Sequence, residues 1–217
     1  MNSGFDIMHA AIIEMPDRTP VVARQLDAMF RLRHEVFGER LAWDVGNFGG
    51  RERDIFDDND PVYIVCEQDG EVLGSWRLLP TTGPYMLRDV FPQLLHGLAA
   101  PAAADTWEIS RFAVSKRVIG NSSLGTIRSV TQMLLEQLFT FAARRQISRI
   151  VAVSDVRFER ILQRAGLLTS RFGPPLRIGK TVAVSGFADV SDLNVRRLQR
   201  AVVTHRPDVP CDLRAAA

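Results

Sequence analysis

Three stretches of the sequence set charged residues inside otherwise apolar segments. The first is Phe30-Arg31-Leu32-Arg33-His34-Glu35-Val36-Phe37, followed by Trp43. The second is Glu52-Arg53-Asp54-Ile55-Phe56-Asp57, just ahead of a strand-like run. The third joins Trp76-Arg77-Leu78-Leu79-Pro80-Thr81-Thr82 to Trp107-Glu108-Ile109-Ser110-Arg111-Phe112. Each has an ordinary structural account: Arg33 capping a helix end, a solvated acidic loop, Glu108 in an ion pair with Arg77 or Arg111. Charged groups at inward strand positions are nevertheless costly unless paired. Several of them in one chain point to a site, and the residue types suit ion binding and proton transfer.

The elements that must position these residues follow from periodicity. Asp6 to Ile13 reads as an edge strand, closed off by Pro16 and Pro20. From Val21 to Glu39 the apolar positions Leu26, Met29, Phe30, Leu32 and Phe37 fit a helix. Three glycines between Val45 and Gly50 break that pattern, and a polar acidic loop runs to Asp60. Val62 to Glu67 and Glu71 to Leu79 are strand-like, and Asp69-Gly70 between them is a hairpin signal. Residues 81–106 are loop-rich, and Trp107 to Val114 is a third strand. A long amphipathic helix is expected from about Leu124 to Arg145, with Ile127, Val130, Leu134, Leu135, Leu138, Phe139 and Ala142 inward. Ile147 to Ser154 follows as a buried strand, then a helix from Asp155 to Ala165 stopped by Gly166. A last strand, Thr181 to Phe187, leads to a final helix near Ser191 to Val203 and a frayed tail from about residue 205. This order predicts an α/β three-layer α-β-α sandwich, one domain over residues 1–217.

Composition narrows the function classes. At 217 residues, 46% hydrophobic and 24% charged, the chain has the make-up of a folded globular domain. A net charge of +2 does not by itself imply a nucleic-acid partner. Lys116 and Lys180 are the sole lysines, so arginine carries nearly all the positive charge, through coding bias or for bidentate anion binding. Cys66 and Cys211 lie far apart, with no metal-ligand spacing and no disulfide framework. No window approaches the roughly 18 apolar residues of a bilayer span. The first residues lack a basic signal-type segment, so a cytoplasmic location is expected.

Arg33, Phe37 and Trp43 in R-x-x-x-F-x-x-x-x-x-W, Glu52, Asp54 and Asp57 in E-x-D-x-F-D, the run RLLPTTGPYMLRDVFPQLL and the run WEISRFAV together resemble the LuxI-type autoinducer synthase family. A softer similarity continues through Arg171-Phe172-Gly173-Pro174. The resemblance implies a fold like that of the GNAT acyltransferases. It also implies acylation of the α-amine of S-adenosylmethionine by an acyl group from acyl carrier protein, or from coenzyme A in some members. The methionine part then lactonises and releases methylthioadenosine. S-adenosylmethionine is thus a substrate, and neither metal nor cofactor is expected.

The family's characteristic positions fall on Arg33, Phe37, Trp43, Asp54, Asp57, Arg77, Glu108 and Arg111. Aromatic faces such as Trp43 and Phe37 hold a sulfonium, Asp54 and Asp57 bind ammonium or ribose hydroxyls, and an arginine forks onto the carboxylate. Glu108 is the expected base for the amine. In an ideal strand, however, Glu108 and Arg111 point to opposite faces, so one shared site requires a bulge of the kind GNAT-like folds carry. Arg117-Val118-Ile119-Gly120-Asn121-Ser122 keeps only the first half of the GNAT pyrophosphate loop, which favours a carrier protein over coenzyme A. Ala152 aligns with the acyl-pocket position where 3-oxo-selective members place a hydroxyl, and Val151 or Val153 takes that place if the alignment slips by one. Arg157, Arg160 and Arg164 recur on one helix face as a basic stripe for an acidic carrier protein, or as a solvated surface. The runner-up function is a general GNAT-type N-acetyltransferase using acyl-CoA, and a non-catalytic ligand-binding protein is a third.

Overall fold

Runs of β-branched and aromatic residues pair into one sheet, and two amphipathic helical segments cover it. The computed structural model describes residues 7–17, 19–120, 124–164 and 170–190. Asp6, Asn121, Ser122, Gly166, Cys211 and the expected helix at Ser191–Val203 with its tail lie outside the described residues. In chain order the elements are β1 (His9–Glu14), α1 (Pro20–Arg33), β2 (Val62–Gln68), β3 (Glu71–Pro80), α2 (Met86–Asp89), β4 (Thr106–Val114), α3 (Lys116–Gly120), α4 (Leu124–Arg144), β5 (Arg149–Asp155), α5 (Val156–Arg164), β6 (Ser170–Arg171), β7 (Leu176–Ile178) and β8 (Thr181–Asp189).

The strands form one sheet in the order β1-β2-β3-β4-β5-β8-β6, with β7 also on β8. The β2–β3 turn takes positive φ at Asp69 (53°) and Gly70 (77°), as its sequence requires. Among the described strands only β4 and β5 run parallel, and their pairing stops at Ile109–Ala152 although β4 continues to Val114 and β5 to Asp155. Beyond that point the two strands have parted.

One face of the sheet lies under α4, whose Val130, Leu134, Leu135, Leu138, Phe139 and Ala142 are buried against Ile64, Trp76, Leu78, Ile109 and Ile150. On the other face α1 packs Met29, Phe30 and Leu32 on Tyr63 and Val65. A second cluster on that face sets Tyr85, Leu87, Leu94 and Leu95 on Leu79 and Val151. Helices on both faces make the three-layer sandwich. Cys66 is buried on the α4 side, where burial pushes its thiol up to about 11.

The sequence and the structure part at several places. The helix expected through Glu39 ends at Arg33 and continues as a π-helical turn, His34–Arg40. Gly38 permits this wider turn, because a Cβ there would stand 2.9 Å from the His34 ring. Residues 81–106 are loop-rich as expected, and within them stand α2 and a 3-10 turn, Pro92–Leu95, that periodicity does not show. The short strands β6 and β7 were not expected, since two and three residues carry no periodic signal.

Candidate functional site

Between the α1 cluster and the Tyr85 cluster, one face of the sheet carries ionised groups instead of hydrocarbon. Three local devices bring them together. The first is the end of α1. Thr19 caps the helix through Val22 N–H at 3.3 Å, with Pro20 in its first turn, so Arg33 enters the interior on the last turn beside Phe30. The π-helical turn then buries Phe37 and folds Trp43 back onto it, with rings 5.3 Å apart and 19° from parallel.

The second device is a capping box. Asp54 accepts Phe56 N–H at 3.0 Å, and Asp57 accepts Asp54 N–H at 2.9 Å. Their spacing of three lets each aspartate fix the other's backbone and still offer oxygen to an arginine.

The third device is the bulge that the Glu108–Arg111 spacing demands. Ser75 pairs with Ala113 but Arg77 with Ser110, so Arg111 and Phe112 together oppose Trp76. Arg111 takes φ +56° there, a conformation unusual for an L-residue. Glu108, Ser110 and Arg111 thereby reach the same face as Arg77, while Phe112 turns to the α4 side against Trp76.

The resulting network joins three arginines to three carboxylates. Arg33 forks onto Asp57 at 2.8 and 2.9 Å and donates from Nε to Glu52 at 2.5 Å. Arg77 donates to Asp54 at 2.5 and 3.1 Å, to Asp57 at 2.9 Å and to Ser110 Oγ at 3.2 Å. Arg111 meets Glu52 at 3.1 Å and Asp54 at 2.6 Å. The Tyr63 hydroxyl donates to Asp57 at 2.8 Å. Burial opposes ionisation of Asp57, but Arg33 and Arg77 outweigh it and hold the carboxyl well below its ordinary range. Burial likewise works against the charge of Arg33, and Asp57 and Glu52 more than restore it. For Arg111 burial wins, and its pKa falls below the usual value.

Glu108 stands beside this network without a direct ion pair. Its two oxygens accept the backbone N–H groups of Met86 at 2.9 Å and Leu87 at 2.7 Å, the first turn of α2. Burial drives its pKa up to about 7, against the pull of those amides and of Arg77 and Arg111. A carboxyl in that range can take or give a proton near neutrality.

Access divides the residues. Arg33, Glu52, Asp57, Arg77 and Glu108 are buried. Asp54 and Arg111 keep 18% and 11% of their side chains exposed, and Trp43 is 42% exposed, too open for a core residue. A ligand arriving from solvent therefore meets Trp43, Asp54 and Arg111, and the other charges stand behind them. Glu52, Tyr63, Ser110 and Met86 belong to the network but were assigned no role from sequence. A signal existed for Glu52, three residues before the capping box begins to turn, and for Tyr63, a hydroxyl inside an otherwise apolar strand.

On the opposite face a small, partly open apolar cavity lies between α4 and the sheet. Ile109, Leu138, Ile150, Ala152, Ser154 and Gly186 are among its walls. Ala152 thus faces this cavity, whereas Val151 and Val153 pack on the other side of the sheet. Arg157 and Arg160 are exposed on α5, and the side chain of Arg164 lies outside the described residues. Among the described residues no group of His, Cys, Asp and Glu is set to hold a metal ion, and no helix is long and apolar enough to cross a membrane.

Residues 18–198 match the family model described as autoinducer synthase. An acyl-homoserine-lactone synthase of Pseudomonas aeruginosa is 40% identical over 177 residues, 80% of this chain and 87% of the relative. The crystal structure of the AHL synthase LasI superposes with a TM-score of 0.79 at 35% identity, covering 92% of this chain and 96% of that one. The CoA-dependent acyl-homoserine lactone synthase BjaI, solved with SAM and isopentyl-CoA, gives a TM-score of 0.77 at 26% identity, covering 91% and 90%. A putative N-acetyltransferase from Lactobacillus plantarum, at 16% identity and a TM-score of 0.57 over 85% of this chain and 99% of that one, shares the fold alone.

Proposed function

The chain belongs to the autoinducer synthase family and is an acyl-homoserine-lactone synthase, and from that premise we propose that it acylates S-adenosylmethionine with an acyl group delivered by acyl carrier protein. The observation that carries this reading is the parting of β4 and β5 between a charged, aromatic-flanked site on one face and an apolar cavity on the other. A polar amine and a fatty acyl thioester are the two reactants such a split accommodates.

In this reading the sulfonium and adenosine lie against Trp43 and Phe37, the ammonium against Asp54 and the carboxylate against Arg111. Arg33, Arg77, Asp57 and Glu52 hold those contacts rigid, which is how a fixed geometry lowers a bimolecular barrier. Glu108, ionised above about pH 7, takes the amine proton through a bound water. The amine nitrogen then bonds to the thioester carbonyl carbon, the carbon–sulfur bond breaks, and the thiolate leaves and is protonated. The carboxylate of the acylated methionine next attacks its own γ-carbon. The bond to the sulfonium breaks with its electrons, methylthioadenosine leaves and the lactone closes.

Carrier protein is proposed as donor because Arg157 and Arg160 expose positive charge on α5, and the pyrophosphate-type sequence has Ser122 in place of its last glycine or alanine. Ala152 offers a methyl where a hydroxyl would bond a 3-oxo group, which favours unsubstituted chains. One assay tests these points: incubation with S-adenosylmethionine and equal amounts of octanoyl and 3-oxooctanoyl carrier protein, with mass spectrometry of the products. Lactone and methylthioadenosine in equal yield are expected, with the unsubstituted lactone in excess. Acylated S-adenosylmethionine without methylthioadenosine, or product from coenzyme A thioesters alone, overturns the reading.

A further inference from the structure

Among the described residues that line the apolar cavity, Glu159 alone is charged. It is buried, and both of its oxygens are taken by Arg171: Oε1 accepts Nε at 2.7 Å and Oε2 accepts Nη2 at 2.5 Å. Glu159 rises from α5 and Arg171 from the edge strand β6, so the pair ties a helix to the sheet margin across β8. In the strand order β4-β5-β8-β6 it stands at the end away from Ile109, which marks the side where β4 and β5 part.

Resting on the proposed function, we infer that the Glu159–Arg171 pair closes the far end of the acyl cavity and sets the longest chain the enzyme accepts. A chain entering beside Ile109 runs past Ala152 and Gly186 and ends against this pair. Its terminal methyl can make none of the hydrogen bonds that Glu159 receives. Pushing the carboxylate aside would leave a buried charge without its partner, which is costly, whereas an apolar side chain would yield by changing rotamer. A forked ion pair is therefore a firmer stop than a leucine of the same size. Arg171 has 40% of its side chain exposed, so it anchors the stop from outside the cavity.

The test is a competition among unsubstituted acyl carrier proteins from butanoyl to tetradecanoyl, with the lactones resolved by mass spectrometry. Glu159→Ala removes the wall and leaves Arg171 free to extend into water. Arg171→Ala removes the anchor from the exposed side, where folding is least at risk, and lets Glu159 swing outward. Both should shift product toward longer chains, by roughly fourfold for each methylene that newly fits and about fifteenfold for two. A merely structural pair would lower yield at every length and leave the ratios where they are. If either folded variant keeps the wild-type ratio of long to short lactones, the stop is refuted. Absence of lactone from wild-type enzyme with every donor would instead sink the function on which the stop rests.

Discussion

Arg33 and Arg77 have almost no exposed surface, and a guanidinium so placed acts on a substrate only through the groups it holds. Removing one partner of a buried pair leaves a charge uncompensated, at about 3–5 kcal/mol. Asp57→Ala takes one carboxylate partner from both arginines, leaving Arg33 with Glu52 and Arg77 with Asp54, and strands the Tyr63 hydroxyl, so it should lower Tm by roughly 2–4 °C for each kcal/mol lost. Asp54 is part-exposed and stands at the front of the network. Asp54→Ala should therefore raise KM for S-adenosylmethionine with a smaller thermal penalty, and comparing the two melting curves with the two KM values checks the division. Equal destabilisation by both would place Asp54 in the scaffold as well. Glu108→Gln cannot serve as a base and should lose roughly 10²–10⁴-fold in kcat. The rise of wild-type kcat/KM as pH passes about 7 should vanish with it; near-normal turnover in the folded variant removes Glu108 from the chemistry. From sequence the charged positions were legible because charge inside apolar runs is costly. Their division into binders and holders was not, since a fork of arginine onto carboxylate looks the same whether its partner is a ligand or Asp57.

Elements decide which of these side chains can meet. Alternation along β4 separates Glu108 from Arg111, and the positive φ at Arg111 reunites them. Residue types showed that a bulge was needed but not which residue would bear it, because a backbone torsion of this kind has no side-chain signature outside glycine and asparagine. Holding a non-glycine residue there costs on the order of 1–2 kcal/mol. Arg111→Gly and Arg111→Ala both lose the guanidinium and should weaken S-adenosylmethionine binding alike, yet the glycine variant should melt higher, by about 1 kcal/mol. Calorimetry on the pair decides it; an alanine variant as stable as the glycine one would mean that the strand relaxes. On α5 the i, i+3 spacing of Arg157 and Arg160 was legible from periodicity, and both side chains are exposed. Reversing them to glutamate leaves the helix intact, since acidic groups suit its first turns. KM for acyl carrier protein should rise sharply and S-adenosylmethionine KM should barely change, with wild-type carrier affinity falling as salt rises. An unaltered carrier KM at low salt would leave the stripe as a solvated face.

At the scale of the whole molecule, the layer order was readable because the long helix and the central strands have clean apolar periods. The parting of β4 from β5 was not, since it depends on where a parallel pairing stops rather than on any residue in either strand. That parting puts the ionic network at the centre of the fold, so the charge state of the site and the stability of the protein are one problem. Two groups there pull in opposite directions with pH. Asp57 has its pKa depressed below its ordinary value of 3.8, so its contribution is present above that value and is lost as pH falls. Glu108 is raised from 4.5 to about 7, so the folded state binds its proton more tightly. Its contribution is complete below 4.5 and disappears as pH rises through about 7. A displacement of that size is worth about 3 kcal/mol by linkage, or roughly 6–12 °C in Tm for a chain of this length. Tm of the wild type should therefore decline between pH 4.5 and 7, the range where most proteins are near their best. Glu108→Gln, which cannot ionise, should flatten that limb while the acid limb set by Asp57 remains. Melting curves across pH for both proteins make the comparison. A neutral limb that persists unchanged in Glu108→Gln would assign the decline to other groups and return Glu108 to an ordinary carboxylate.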